Sequence, residues 1–165
     1  PTQINLQSID QIWSINYAVT RDHKANVHDS GNQQIAALNL PTGYWEGTSY
    51  FNKWINIKAK AILPNWAAHL SKLHELPYRK LSIRRQKTRW GSCSHNDSIN
   101  LNQNLMFVEP ELVTYVILHE LVHTEVKNHS YDFRSKLGTH IKDPKQLQHR
   151  LAAYARTVPS WAWIT

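Results

Sequence analysis

The most informative part of this chain is residues 110–130, which read PELVTYVILHELVHTEVKNHS. Its apolar residues recur at helical spacing after a proline that suits a first helical turn, so we predict a helix buried in the core. Near the end of that helix, His119 and His123 are four residues apart and project from one face. Glu120 is offset by about 100° of helix rotation, so its carboxylate can lie beside an ion that both imidazoles bind.

A third histidine, His129, follows His123 with five residues between them, and it can supply the last protein ligand of an open tetrahedral site. Three neutral imidazoles leave zinc its full double charge, which acidifies a water in the fourth position. Glu120 is then the expected general acid/base, which takes a proton from that water and passes it to the leaving group. Because imidazole also suits nickel, copper and iron, the pattern predicts Zn²⁺ and leaves other divalent transition metals open.

The chain must turn back between His123 and His129 to complete such a site. Asn128 tolerates the left-handed conformation that commonly ends a helix, and Ser130 can cap the helix that follows. We therefore expect a left-handed residue at position 128 and a new helix after position 130.

The alternative is an ordinary amphipathic helix that carries two solvated histidines and a carboxylate. Apolar residues surround the motif, and burial of the helix would make unpartnered histidines and a charged glutamate unfavourable. His95 and His140 are rival third ligands, but neither has the short spacing, and we expect both at the surface. The sequence thus favours the metal site.

Elsewhere the chain shows both strand and helix patterns. Alternating apolar residues predict one strand over 13–19 and another over 35–40, the second preceded by the turn cluster 29–32. Helical spacing begins at about Thr48, and we expect Pro64 to kink that helix or to begin a second one.

The second half of the chain adds two short strands around 81–83 and 99–101, with a loop over 91–97 between them. Asp143 and Pro144 announce a last helix that turns Leu147, Leu151 and Tyr154 inward. The predicted fold class is therefore α+β, with a small antiparallel or mixed sheet packed on helices.

Composition limits the architecture and the partners. With 165 residues, of which 41% are hydrophobic, we expect one domain over 1–165, with an N-terminal β region over about 1–43 and a catalytic core over about 44–165. The net charge of +7 favours anionic partners such as nucleic acid, nucleotides or acidic protein segments. Cys93, the single cysteine, cannot form an internal disulfide. With no signal sequence and no apolar run of about 20 residues, we expect a cytoplasmic protein without membrane contact.

Four segments accompany the HELVH motif: KTRWGSCS at 87–94, INLN at 99–102, YVIL at 115–118, and Asn128-His129-Ser130 followed by Phe133. Together they resemble the YgjP-like metallopeptidase family, a zincin group related more distantly to the SprT-like proteases. The resemblance is most evident from about residue 78 to 134. It implies a zincin-like α+β domain with HELVH on a central helix.

The same resemblance implies that the three histidines are ligands and that Glu120 is the catalytic acid/base. Arg134 stands where relatives usually carry tryptophan. The spacing of the triad also equals that of metzincins, but Val126 occupies their glycine position and no methionine follows the triad. We therefore exclude metzincin membership.

Other residues of these segments have two interpretations each. Arg89 is either an anion or oxyanion partner near the metal or part of a structural loop, in which Gly91 allows a tight turn and Cys93 packs. Asn102 either orients a ligand or substrate or makes hydrogen bonds at the edge of the core. The basic run 79–89 either attracts phosphates or nucleic acid or is a solvated strand face.

Three functions remain open at this point. The first is a peptidase, whose substrate would pair as a strand with the sheet edge near 99–102. The second is a nucleoside triphosphate pyrophosphohydrolase, in which the basic segment binds the triphosphate. The third is a non-enzymatic nucleic-acid-binding module with structural zinc, which a fourth protein ligand would favour.

Overall fold

The structure is a computed structural model that describes residues 1–19, 26–29, 35–40 and 47–163. Within these ranges, the chain forms the strands β1 (Gln3–Leu6), β2 (Gln11–Val19), β3 (Asn26–Asp29), β4 (Ile35–Leu40), β5 (Lys80–Arg84), β6 (Gly91–Cys93) and β7 (Ser98–Asn102). Their helices are α1 (Gly47–Leu73), α2 (Pro110–Val122), α3 (Tyr131–His140), α4 (Pro144–Tyr154) and α5 (Ser160–Trp163). The predicted α+β class is confirmed. Residues 30–32 of the predicted turn lie outside the described residues.

The N-terminal strands form a four-stranded mixed sheet in the order β1-β2-β4-β3. β2 lies parallel to β4, whereas β1 and β3 pair antiparallel with their neighbours. Ile4 and Leu6 from β1 and Trp13 and Ile15 from β2 are buried, as alternation along a half-buried strand requires. The predictions of β2 and β4 are confirmed, whereas β1 and β3 were missed because four residues are too few for a strand pattern to be recognised.

Helix α1 is one continuous helix with Pro64 inside it, so the expected second helix at that proline is absent. A proline in a helix interior loses a hydrogen bond and costs about 3 kcal/mol. The burial of apolar residues at helical spacing on both sides of Pro64 offsets this cost. These residues, each completely buried, are Ile55, Ala59, Leu63 and Ala67.

A second sheet holds three strands in the order β5-β7-β6, with β5 parallel and β6 antiparallel to β7. β5 and β7 were predicted, but residues 91–93, assigned above to a loop, form β6. The loop between β6 and β7 is only residues 94–97. A three-residue strand shows no alternation, and its existence depends on the pairing with β7. Since β7 is the central strand, it is not the sheet edge that we expected at 99–102; β6 is an edge.

Helix α2 contains HELV of the motif in its last turn, and His123 is its C-terminal cap. Most of its residues are buried, and it packs on α1, α3, α4 and β6. The buried segment Gln103–Phe107 leads into it from β7 as a short 3-10 helix. The motif therefore lies between the second sheet and the two helices that follow.

Helices α3 and α4 begin at the caps that the sequence indicates. Ser130 Oγ accepts a hydrogen bond from the Phe133 N–H, and Asp143 Oδ1 accepts one from the Gln146 N–H. Asn128 does not adopt the expected left-handed conformation. Its side-chain oxygen instead accepts a hydrogen bond from the Ser130 N–H, which turns the chain toward α3 without a positive φ.

Within the described ranges, none of the helices combines the length and the hydropathy of a membrane span. The core runs through both sheets, α1 and α2. The division into a β region over about 1–43 and a catalytic core over about 44–165 stays a prediction.

Candidate metal centre

Three histidines converge at the end of α2. His129 Nε2 lies 3.0 Å from His119 Nε2 and 3.1 Å from His123 Nε2. Their candidate ligand atoms all lie within 4.8 Å of one another. Helix α2 supplies two rings from one face because they are four residues apart, and the chain reversal before α3 supplies the third.

This arrangement fits a tetrahedral ion. At the usual zinc–nitrogen distance of about 2.0–2.1 Å, two ligand nitrogens are about 3.3 Å apart, so His129 Nε2 already lies near the required distance from the other two nitrogens. The His123 Nδ1–H donates a hydrogen bond to the Val126 carbonyl at 2.9 Å. In a neutral ring this leaves Nε2 unprotonated, and that nitrogen faces the other two histidines.

Phe133, which is completely buried, packs against all three rings. It stacks on His123 at 4.3 Å between ring centroids, and the other two rings meet it edge-on. Because Phe133 lies in the first turn of α3, this helix fixes the directions of the rings. The sequence resemblance included Phe133 but did not show this contact.

The environment keeps the helix histidines neutral. Burial lowers the pKa of His119 to about 3, and the nearby His123 and His129 add to the effect. Burial also lowers the pKa of His123, although the hydrogen bond to Val126 opposes that change. Neutral imidazole is the form that binds a metal ion, so both rings are ready to act as ligands near neutral pH.

Glu120 lies beside this cluster with a side chain that is only 6% exposed. Burial raises its pKa to about 8, while the positive charge of Arg89 works in the opposite direction. A carboxyl group with a pKa near neutrality can both accept and donate a proton. The site thus carries a candidate general acid/base in addition to its candidate ligands.

Gly91 of β6 makes room for Glu120. A Cβ at position 91 would lie 2.7 Å from both Cγ and Oε1 of Glu120, closer than such atoms can approach. The sequence suggested that Gly91 served a tight turn, but the residue lies in a strand. Its function is to let the carboxylate lie against the backbone of the edge strand.

Two clefts flank the cluster and have Tyr115, His119 and Gln148 in common. One, of about 590 Å³, also reaches His129 and the first turns of α3 and α4. The other, of about 440 Å³, reaches Glu120 and the segment 88–91. The candidate site therefore opens onto two adjoining clefts.

Tyr115 was not singled out as a site residue by sequence reasoning. It lies one helical turn before His119, with 5.9 Å between the ring centroids, and it lines both clefts. The four-residue spacing from His119 was the available signal, because it places both side chains on one face of α2.

Arg89 and Asn102 have different surroundings. Arg89 is exposed and lines the smaller cleft with Glu120. Asn102 is completely buried, and its amide donates hydrogen bonds of 2.8 Å to the carbonyls of Gln86 and Arg89. Asn102 lines neither cleft. Its hydrogen bonds hold the loop that carries Arg89, and its assignment to substrate or anion binding stays a prediction.

The remaining candidates lie outside the cluster. Cys93 is half-buried against the core, and burial raises the pKa of its thiol. His95 is exposed, as expected. His140 is not a simple surface residue, because it is partly buried and its Nδ1 lies 3.1 Å from Nδ1 of His74.

Two solved structures share this fold. One is the metallopeptidase zymogen of Methanocaldococcus jannaschii jannalysin, with 20% identity and a TM-score of 0.50 over 56% of this chain and 95% of that chain. The other is the metallopeptidase zymogen of Pyrococcus abyssi abylysin, with 19% identity and a TM-score of 0.51 over 58% of this chain and 96% of that chain. At such low identity these likenesses show the fold alone.

Sequence comparison identifies the family. No curated protein sequence matches the chain significantly. The family model of the YgjP-like metallopeptidase domain, in contrast, matches residues 3–154, which is most of the chain. The protein therefore belongs to the YgjP-like metallopeptidase domain family.

Proposed function

We propose that this chain is a zinc-dependent peptidase in which His119, His123 and His129 hold the ion and Glu120 is the general acid/base. The observation that carries the proposal is the convergence of three imidazole nitrogens beside a buried carboxyl group. Membership of a metallopeptidase family supports a metal-dependent hydrolase in general. The choice of zinc and the role of each residue belong to the proposal.

The donor set is three neutral imidazoles, which suits zinc and other borderline divalent metals. A zinc ion bound there would acidify a water molecule and polarise the substrate carbonyl. Glu120 would take a proton from the attacking water and return it to the leaving amine, for which its raised pKa is well suited. Arg89, on the same cleft, would favour the charged form of Glu120 when the proton has left.

The substrate backbone would lie along β6. In its antiparallel pairing with β7, the Trp90 carbonyl accepts from the Asn102 N–H and the Ser94 N–H donates to the Ser98 carbonyl. Because hydrogen-bonding direction alternates along a strand, the backbone groups of Gly91 and Cys93 point away from β7. They are available for an added strand, and Gly91 also contacts Glu120.

The alternatives from sequence gain less support. Among the described residues, no fourth His, Cys, Asp or Glu joins the histidine cluster, whereas a structural zinc site usually has four protein ligands. The basic run 79–89 does not form one surface at the site. Arg89 lines the cleft beside Glu120, whereas Arg85 lines a separate cleft with Lys53. The residues of that run could therefore not act together to hold a triphosphate at the histidine cluster.

The test is a comparison of wild type with Glu120→Gln. Purified protein is analysed for metals and assayed on an unfolded protein, on a peptide library and on nucleoside triphosphates. We expect about one zinc per chain in both proteins, and peptide cleavage that falls at least about a hundredfold in the variant. Pyrophosphate release without peptide cleavage, or full peptidase activity in Glu120→Gln, would contradict the proposal.

A further inference from the structure

The larger cleft, the one of about 590 Å³, combines an apolar floor with a positively charged rim. Phe133, Leu137 and Pro144 supply apolar surface, and Arg134 and Lys145 supply the charges. No aspartate or glutamate is among the described residues that line it. The cleft is also lined by His119 and His129. A substrate side chain inside it would therefore belong to a residue next to the peptide bond that is cleaved at the metal site.

The two rim cations differ from three other cations around α2, α3 and α4. Lys127 pairs with Asp97, Lys136 with Glu125, and Arg150 with Glu109 and Glu111. Within the described part of the chain, neither Arg134 nor Lys145 forms an ion pair. Among the described residues, the one hydrogen bond of the Arg134 side chain goes from Nη1 to the His129 carbonyl at 3.0 Å, and it leaves the charge of the guanidinium uncompensated.

Electrostatic preference follows from this arrangement. Glu120 is the one described acidic residue that lines either cleft, while Arg89 adds a further positive charge on the second cleft. Unpaired cations beside a low-dielectric apolar wall attract anions and repel cationic side chains. The methylene groups of a glutamate would cover the apolar floor while its carboxylate reaches the rim.

We propose that Arg134 and Lys145 determine substrate specificity by selecting a carboxylate-bearing side chain in the residue next to the scissile bond. This inference rests on the proposed peptidase function and names its substrate class, an acidic polypeptide segment. The carboxylate could equally be the C-terminal one of a short peptide, and the test separates these two sources.

The test uses the zinc-loaded full chain and peptides that differ only in carrying Glu, Gln or Lys at each position flanking the cleaved bond. Each peptide is made once with blocked ends and once with a free C-terminus. We expect kcat/KM in the order Glu, Gln, Lys at one of these positions. Arg134→Gln and Lys145→Gln should each reduce the Glu-to-Gln ratio about threefold, and the double variant about tenfold. A ratio is measured because it cancels losses of folded enzyme or of metal.

The matched control is Lys60→Gln/Lys72→Gln, which removes two exposed positive charges of α1 that line neither cleft. It should leave the ratio unchanged. A Glu preference that the double rim variant retains, or no Glu preference in the wild type, would overturn the inference and leave the peptidase function intact. Cleavage only of peptides with a free C-terminus would overturn the side-chain assignment. Failure to cleave any peptide would overturn both proposals.

Discussion

Gly91 and Glu120 are separated by 29 positions in sequence, yet the absence of one side chain determines where the other can lie. The pair leads to a sharp prediction for Gly91→Ala. The added methyl group overlaps Cγ and Oε1 of Glu120, so the carboxylate must move away from β6. Activity should fall about a hundredfold or more, while zinc content stays near that of the wild type because no imidazole is displaced.

The measurement is kcat/KM together with elemental analysis and a thermal melt of both proteins. Ser92→Ala is the control, since it adds no atoms to the same strand. A Gly91→Ala enzyme with normal activity would show that Glu120 does not need its position against β6.

Titration of the site should make the stability of the metal-free protein depend on pH. The pKa of Glu120 rises from 4.5 to about 8 in the fold, so its protonated form is favoured. The stability that Glu120 contributes to the fold is complete below pH 4.5 and is lost as pH rises through 8. The pKa of His119 falls from 6.5 to about 3, so its contribution is complete above pH 6.5 and is lost as pH falls through 3.

Between pH 4.5 and 6.5, the changes of stability with pH due to Glu120 and His119 have opposite signs. Between pH 6.5 and 8, only the change due to Glu120 remains. Urea unfolding in a chelator should therefore show wild-type stability falling relative to Glu120→Gln over this upper window, by up to about 1.4 kcal/mol per pH unit. If the stability of the two proteins changed equally with pH from 6.5 to 8, Glu120 would not have the raised pKa.

Helix α1 continues through a proline because the apolar stripe around it is buried, not because the local sequence favours it. Pro64→Ala should restore the hydrogen bond to the Lys60 carbonyl. We expect a gain of about 1–2 kcal/mol in unfolding free energy, which is less than the full helix penalty of proline because alanine frees the unfolded chain. Equilibrium urea denaturation measures it, and a loss of stability would mean that the helix is shaped around the proline.

Strand β6 is short but contributes several features to the candidate site. Its three residues form a sheet edge, the backbone groups of Gly91 and Cys93 point outward, and Gly91 makes room for Glu120. Helices α3 and α4 form the wall opposite, through Phe133, Arg134 and Lys145. The candidate site is therefore an assembly of elements on both sides of α2.

In the whole molecule, a bound metal ion would link α2 to the segment that leads into α3. Removing zinc with a chelator should lower the stability by about 3 kcal/mol if the ion is present at about a hundred times its dissociation constant. For a chain of this length the melting temperature should fall by about 5–10 °C. Zinc should restore it and magnesium should not, because imidazole ligands do not suit magnesium.

His129→Ala provides the control for that experiment. It should lose the response to the chelator, because the link between α2 and α3 is gone. A chelator shift that persists in this variant would place the stabilising ion elsewhere in the molecule.

Many features of the candidate site depend on residues that are close in sequence. The four-residue spacing of His119 and His123 places both rings on one helix face, and Ser130 and Asp143 mark the starts of α3 and α4 through bonds to residues three positions away. Such features depend on near neighbours alone, so the sequence predicted them. The family and the α+β class followed from the same segments, whereas the roles of the three histidines as ligands stay a prediction.

Tertiary structure decided what depends on distant pairing. Only the sheet order shows that β7 is central and β6 an edge. Only tertiary contacts show that Asn102 holds a loop and that Gly91 makes room for Glu120. Likewise, only packing shows that Arg134 and Lys145 share one cleft. The physical reason is that helix periodicity and capping arise from residues within one turn, whereas strand order and close approach arise from burial of surfaces far apart in the chain.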